Sequence, residues 1–445
     1  MKDRRQEAQP AGVPERAKQA GDIRDRWSWV EPSAWTDRML TALEDGVKGG
    51  VWYSLIDKVT SRSVLHAAYK RVKRNGGAPG VDRVTVAMFG AHLEANLEKL
   101  HGELLAGTYK PQAIRRQWIP KPGRAERRPL GIPTVRDRVV QTALRSVLEP
   151  IYEREFAAQS YGFRPGRGCK DALRRVDELL KAGYTWVVDA DLASYFDTIP
   201  REAMREKLAR RVADGRVLDL VDAYLRQEVM DGLAHWTPER GAPQGAVISP
   251  LLSNIYLDEL DHKMAASGYE MVRYADDFVI LCRSEAAART ALEEVAGWVS
   301  QAQLSLHPAK TRIVDATQGG GFDFLGYHFE RGYRWPSKKS VKKLKDTVRR
   351  HTRRTNGRSL EATIAELNPV LRGWFEYFKH SNKSAFRPLD QWTRMRLRSI
   401  LRKRRRGRGR GRGADHQRWP IAYFDERGLF SLVIARVSSA QSAQR

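Results

Sequence analysis

Apolar positions recur at helical spacing early in the chain. Met39, Leu40, Leu43 and Val47 share one face from Thr36 onward, and Val64, Leu65, Ala68 and Val72 mark a second helix after Ser63. The run from Arg74 to Gly80 predicts a loop. Residues 110–134, rich in Pro, Lys and Arg, predict strands joined by a tight turn at Pro122-Gly123. A helix is expected from about Val135 to Tyr152, with Val139, Val140, Leu144, Val147, Leu148 and Ile151 as its apolar stripe. Residues 186–192 read as a buried strand whose end carries acids. Helices follow near 201–211 and 216–230, and another begins with Ser249 as N-cap and Pro250 at the first helical position. Residues 270–282 predict two short strands meeting around Ala275-Asp276-Asp277. A helix over 285–303 and short strands near 311–315 and 322–329 come next. Three basic helices are expected at about 339–354, 360–379 and 388–403. The run Arg402 to Gly413 holds only Arg, Lys and Gly and predicts a flexible segment. Trp419, Tyr423, Phe424, Phe430 and Leu432 predict a small ordered end piece. Residues 1–25, with Pro10 and Pro14, read as a flexible arm.

Composition narrows the function classes. With 445 residues, 41% of them hydrophobic, the chain can build several cores and is not disordered as a whole. Its longest apolar runs are too short to span a bilayer, and the N-terminus carries no apolar signal region. No membrane partner is expected. Cys169 and Cys282 are its two cysteines, which excludes a disulfide scaffold and a Cys-rich zinc module and fits a reduced, cytoplasmic setting. The net charge of +26 changes the picture more. Basic residues occur in every segment and interleave with aromatics, so nucleic acid is the expected partner.

Acids then supply candidate chemistry. Asp276 and Asp277 are adjacent in a turn flanked by apolar strand residues, and Asp191 ends another apolar strand. Carboxylates brought together repel unless a cation intervenes. Magnesium, a hard ion with oxygen ligands, fits that need. Two such ions can activate a 3′-hydroxyl and stabilise a leaving pyrophosphate. Asp189 and Asp191 point to the same face of their strand, so alternation does not separate them. The loop Gly162-Phe163-Arg164-Pro165-Gly166-Arg167-Gly168 reads equally as a plain turn or as backbone that approaches phosphate.

These residues resemble a known family. Tyr274-Ala275-Asp276-Asp277 resembles the reverse transcriptase box. The stretch from Asp189 through Asp191 to Phe196 and Asp197 resembles the preceding metal-binding motif. Gly241-Ala242-Pro243-Gln244-Gly245, followed by Ser249-Pro250-Leu251-Leu252, resembles the motif between them. Arg128-Pro129-Leu130-Gly131-Ile132-Pro133-Thr134, Tyr161-Gly162-Phe163-Arg164-Pro165, Phe324-Leu325-Gly326-Tyr327 and Leu371-Arg372-Gly373-Trp374 point to the group II intron-encoded reverse transcriptases, or maturases. The resemblance covers roughly residues 27–435.

The resemblance implies an α+β right-hand polymerase of fingers, palm and thumb, with a helical thumb/maturase domain. The expected division is a flexible arm (1–26), an N-terminal extension with fingers (27–185), and a palm with the catalytic site (186–337). A thumb/maturase domain (338–400) and a basic nucleic-acid-binding segment (401–445) follow. The implied reaction is RNA-templated DNA synthesis. Asp191, Asp276 and Asp277 become catalytic ligands of two Mg2+ ions, with the Leu192 carbonyl as a further ligand. Lys121 and Arg128 would clamp the triphosphate, and Phe196 would exclude a ribose 2′-hydroxyl. Gln244 and Gly245 would contact nucleotide and template, and Lys310 would act near the leaving phosphate. Tyr274, Phe324, Leu325 and Gly326 would meet the primer and template. Implied partners are group II intron RNA, an RNA template with its DNA primer, a DNA target and dNTPs. The implied location is the bacterial cytoplasm, nucleoid-associated through nucleic acid. A role in intron splicing and retromobility follows from the resemblance only. No His/Cys cluster follows the basic tail, so no DNA-cleaving domain is expected. The alternatives are an RNA-binding splicing factor without polymerase activity, and a CRISPR-associated or other bacterial reverse transcriptase.

Overall fold

The computed structural model describes residues 22–120, 127–355, 357–411 and 413–442. Lys121, the Pro122-Gly123 turn, and residues 1–21 of the predicted arm lie outside them. The arm's remaining residues include a short helix, Ile23–Arg26.

The N-terminal pattern gives the expected helices. Asp37–Asp45 starts behind Thr36, whose Oγ1 accepts from the Met39 N–H at 3.3 Å. Arg62–Asn75 packs on Val135–Glu153, which is capped by Thr134. The latter is buried on nearly every face, Asp137 and Gln141 included, and not only along its apolar stripe. Asp137 is tolerated there because the Tyr109 hydroxyl and the Gln112 N–H donate to it.

Strands β1 (Ile114–Pro120) and β2 (Arg127–Ile132) form an antiparallel pair. Strand β3 is Trp186–Asp191. The helix expected over 216–230 stops at Leu225, and β4 (Val229–Asp231) and β5 (Ala234–Trp236) follow as a hairpin. Asp231-Gly232 turns it, with Gly232 at φ 64°. Local helical spacing loses here to a tertiary demand, because β1 needs a neighbour and pairs in parallel with β4. The sheet order is β2-β1-β4-β5.

Ser249 is not the N-cap of its helix. Ser249–Ala266 begins one residue earlier than expected, with Ile248 at the cap position and no capping side chain. The Ser249 hydroxyl instead donates to the Pro243 carbonyl at 2.8 Å, tying the Pro-Gln-Gly turn to the helix.

A second sheet carries the acids. Strands β6 (Glu270–Tyr274), β7 (Asp277–Cys282) and β8 (Arg312–Asp315) join β3 in the order β6-β7-β3-β8, antiparallel throughout. Both of its faces are covered. Val188, Ala190, Phe278 and Ile280 pack with the helix Glu285–Gln301 in the large core. Val187, Val272, Val279 and Leu281 pack with the helix Cys169–Lys181 in another. Two-sided burial explains why β3 and β7 read as apolar runs and not as alternating strands.

Strands β9 (Phe322–Phe324), β10 (Tyr327–Glu330) and β11 (Tyr333–Pro336) form a third sheet. The single stretch expected over 322–329 is therefore a hairpin, turned at Leu325-Gly326 with φ of 48° and 83°. Beyond it, Lys338–His351, Leu360–Phe378 and Phe386–Arg404 bury Leu344, Val348, Ile364, Leu367, Phe375, Phe386 and Leu397 together. Trp419, Phe424 and Leu432 close this core. The arginine-glycine run departs from the flexible segment expected. Its described residues fold back on Phe386–Arg404: the Gly411 N–H donates to Ser399 Oγ at 3.0 Å, and Arg402 Nε to the Arg408 carbonyl at 2.7 Å. Glycine permits this, since a Cβ on Gly411 would lie 2.5 Å from that of Arg398. Among the described residues, no helix is long and apolar enough to cross a membrane.

Candidate active site

Pairing of β3 with β7 puts Asp191 directly opposite Asp277. Tyr274 pairs with Asp277 across β6 and β7, leaving Ala275-Asp276 as a two-residue turn. By alternation Asp189, Asp191 and Asp277 share one face. The two acids of β3 differ in their partners. Arg312 on neighbouring β8 donates to Asp189 at 3.2 Å, whereas Lys310, in the segment before β8, pairs with Asp191.

The three carboxylates work against one another. Burial pushes Asp277 up to about 7, and the negative charges of Asp189, Asp276 and Asp191 push the same way. Asp276 is raised by burial and then by Asp191, with Arg128 and Lys310 opposing. Such a set fits a divalent cation, because positive charge relieves both repulsion and desolvation. The Lys310 ammonium already pairs with one of the three. Among the described residues, no three His, Cys, Asp or Glu side chains are drawn into a ready metal-ligating cluster.

Several of the other predicted residues lie near this turn. The turn between β9 and β10 lies beside the acid pair, where the Leu325 backbone amide opposes the rise in the proton affinity of Asp277. The Phe324 ring is buried in the core, which leaves Leu325 and Gly326 as the reachable part of that motif. The Tyr274 ring lies beside that of Phe163, with 6.4 Å between centroids. Leu192 is buried and forms a bridge with Leu306, and the Asp191 carbonyl accepts from the His307 N–H at 2.7 Å. These contacts bring Lys310 back to Asp191.

Phe196 lies across a cleft of about 160 Å³ from the first sheet. Arg116, Gly131, Trp236, Asp197 and Gln244 line it with Phe196. Gln244 Nε2 donates to Asp197 at 3.4 Å, and the Gln244 carbonyl accepts from the Gly131 N–H at 2.6 Å. Gly245, at φ 103°, could not carry a side chain, since a Cβ would sit 2.4 Å from the Gly131 carbonyl. The Pro-Gln-Gly turn is thereby stitched to β2, the strand that bears Arg128.

Sequence reasoning missed the residues under the acid turn. Arg273 is wholly buried on β6, on the sheet face opposite Asp277. Its Nε donates to Asp261 Oδ1 at 2.7 Å, and Nη2 donates to Asp261 Oδ2 and to Ser160 Oγ, the latter at 2.8 Å. Its Nη1 donates to Asn254 Oδ1 at 3.0 Å and to the Ala275 carbonyl at 2.9 Å. Asn254 Nδ2 in turn donates to the Gly162 carbonyl at 2.8 Å. A Cβ on Gly162 would lie 2.3 Å from the Ala275 nitrogen, so this loop is a support pressed against the acid turn. A charged residue following the apolar pair Met271-Val272 within a strand was the available signal.

Comparison with known proteins is consistent with this geometry. Residues 119–329 match the family described as "Reverse transcriptase (RNA-dependent DNA polymerase)", and residues 341–419 match "Group II intron, maturase-specific domain". "Protein YkfC" of Escherichia coli K12 is 33% identical over 344 residues, covering 68% of this chain and 86% of that protein. The chain belongs to the group II intron reverse transcriptase/maturase family. Its fold is accordingly the α+β polymerase hand of reverse transcriptases. "Group II intron-encoded protein LtrA" of Lactococcus lactis subsp. cremoris is 36% identical over 200 residues, 44% of this chain. The match covers 33% of LtrA. A chain of the solved "Partial Cas6-RT-Cas1--Cas2 complex" aligns over 56% of this chain and 42% of its own at 22% identity. Its TM-score of 0.36 carries no argument about function.

Proposed function

We propose that this maturase-family chain extends a DNA primer on an RNA template at Asp191, Asp276 and Asp277. The observation that carries the reading is the pairing of Asp191 with Asp277 beside the Asp276 turn, where burial and the neighbouring carboxylates raise the proton affinity of Asp276 and Asp277. Two Mg2+ ions held by these carboxylates, with the Leu192 carbonyl beside them, would acidify the primer 3′-hydroxyl and neutralise the leaving pyrophosphate. The 3′-oxygen forms a bond to the α-phosphorus as the bond to the pyrophosphate oxygen breaks.

The chain's own residues orient this exchange. Arg128, with Lys121, would hold the triphosphate, and Lys310 would move from Asp191 to protonate the departing pyrophosphate. Phe196 would bar a 2′-hydroxyl, while Gln244 and Gly245 meet the nucleotide and template. Tyr274, Leu325 and Gly326 would hold the primer end beside Asp277. We place the palm at 186–337, with fingers before it, the thumb/maturase region at 338–400 and a basic segment after it. The last two would bind intron RNA, assist its splicing, and bring the chain to a DNA target. Its basic surface would keep it on nucleoid nucleic acid in the bacterial cytoplasm.

The test is primer extension on RNA with and without Mg2+. Synthesis that requires both the ion and the primer 3′-hydroxyl supports the reading. No incorporation on any primed RNA at any Mg2+ concentration refutes it.

A further inference from the structure

The acid turn has a conformational problem that the catalytic reading does not solve. Ala275 stands at φ 61°, a left-handed conformation that costs a residue with a Cβ on the order of 1 kcal/mol. Nothing in Ala275 itself holds it there. Asp276 follows directly, so rotation of the Ala275–Asp276 peptide would swing its carboxylate away from Asp191 and Asp277.

We propose that Arg273 is the positioning residue that locks this peptide and so sets the direction of Asp276. The inference rests on the catalytic reading of Asp276. A guanidinium has five N–H donors in a rigid fork, and here all five are used. Three go to Asp261 and Ser160, which fix the fork on the helix Ser249–Ala266 and on the segment before Gly162. The other two go to the Ala275 carbonyl and to Asn254. Asn254 holds Gly162, and Gly162 packs on the Ala275 nitrogen. The strained residue Ala275 is therefore gripped at its carbonyl, on the peptide leading to Asp276, by Arg273, and blocked at its nitrogen, on the preceding peptide, by a loop that the same arginine indirectly fixes. Stability alone does not call for this arrangement, since a buried ion pair can often be replaced by apolar residues without loss. Lysine could pair with Asp261 but could not serve both groups of acceptors. Arg273 lies on the sheet face away from Asp191 and Asp277, so it touches no reacting atom.

The experiment compares Arg273→Lys, Asn254→Ala and Asp276→Ala with the unmodified chain. It measures kcat and KM on primed RNA, Mn2+ binding to the free protein by electron paramagnetic resonance, and thermal melting. Misplacing a catalytic group by about 1 Å costs roughly 10²-fold, so Arg273→Lys is expected to lower kcat by about that factor, with KM for primer–template within about twofold. Mn2+ should bind several-fold more weakly. Asn254→Ala, which leaves no unpaired buried charge, should lower kcat about tenfold and weaken Mn2+ in the same direction. It carries the test should Arg273→Lys fail to fold. Unchanged kcat and Mn2+ affinity in the folded variants overturn the proposal. So does a rate lost only in proportion to the unfolded fraction with Mn2+ affinity intact. Near-normal synthesis by Asp276→Ala would instead overturn the catalytic reading, and this inference with it.

Discussion

The palm and the C-terminal helices handle charge in opposite ways. Around the acid turn, burial and neighbouring carboxylates raise the proton affinity of Asp276 and Asp277, while Arg273 is wholly buried and fully partnered underneath. In the helical region, apolar side chains fill most of the interior, with Asp390, Arg394, Arg398 and Asp415 buried among them, and many other lysines and arginines crowd the outside. The first arrangement concentrates function in a few side chains that must keep a costly geometry. The second spreads it over many interchangeable charges on a scaffold that only has to stay folded. Substitutions should therefore act sharply in one region and gradually in the other.

The largest effect on stability should come from breaking the scaffold. Leu367 is wholly buried between the C-terminal helices, and Leu367→Ala should cost about 2–5 kcal/mol by chemical denaturation. RNA affinity should fall with it. Phe196→Ala removes the ring from the cleft and should raise ribonucleotide use by roughly 10–10²-fold in single-nucleotide assays. Unchanged sugar selectivity would remove Phe196 from the site.

Asp277→Asn should stabilise the metal-free protein at pH 8, by roughly 2–4 kcal/mol. The sign follows from the shift. Folding raises the Asp277 pKa to about 7, so its contribution is full below the unfolded value near 4 and is lost as pH rises through 7. The amide escapes that loss, so its melting advantage should vanish toward pH 4. A variant that melts lower than the parent at pH 8 would contradict the account of the acids. The smallest effect is expected on the basic face. Lys339→Ala with Lys343→Ala should weaken RNA binding by about 0.5–1 kcal/mol per charge and flatten its salt dependence, with no change in melting. A loss as abrupt as that of a catalytic residue would break the contrast between the two regions.

The contrast also governs what could be read from the sequence. The acid pair and its strands were legible because the apolar runs of β3 and β7 are buried on both faces and end in aspartates. The helices after Lys338 were legible from their spacing. The β4–β5 hairpin was not, although Asp231-Gly232 is a turn signal, because its pairing with β1 is settled over 100 residues away. Arg273 was missed for a like reason. Its acceptors come from Asp261, Asn254 and Ser160, which only the folded chain brings together. The fold of the arginine-glycine run depended on Gly411 fitting against Arg398, which composition does not disclose.

The most direct measurement sets Asp276→Ala beside the parent chain in Mg2+-dependent primer extension on RNA, with RNA affinity measured on the same preparations. DNA synthesis is expected to fall by at least about 10³-fold while RNA affinity stays within about twofold, because on the proposed reading the change removes a metal ligand and no phosphate contact. Near-normal synthesis by the variant would contradict the account.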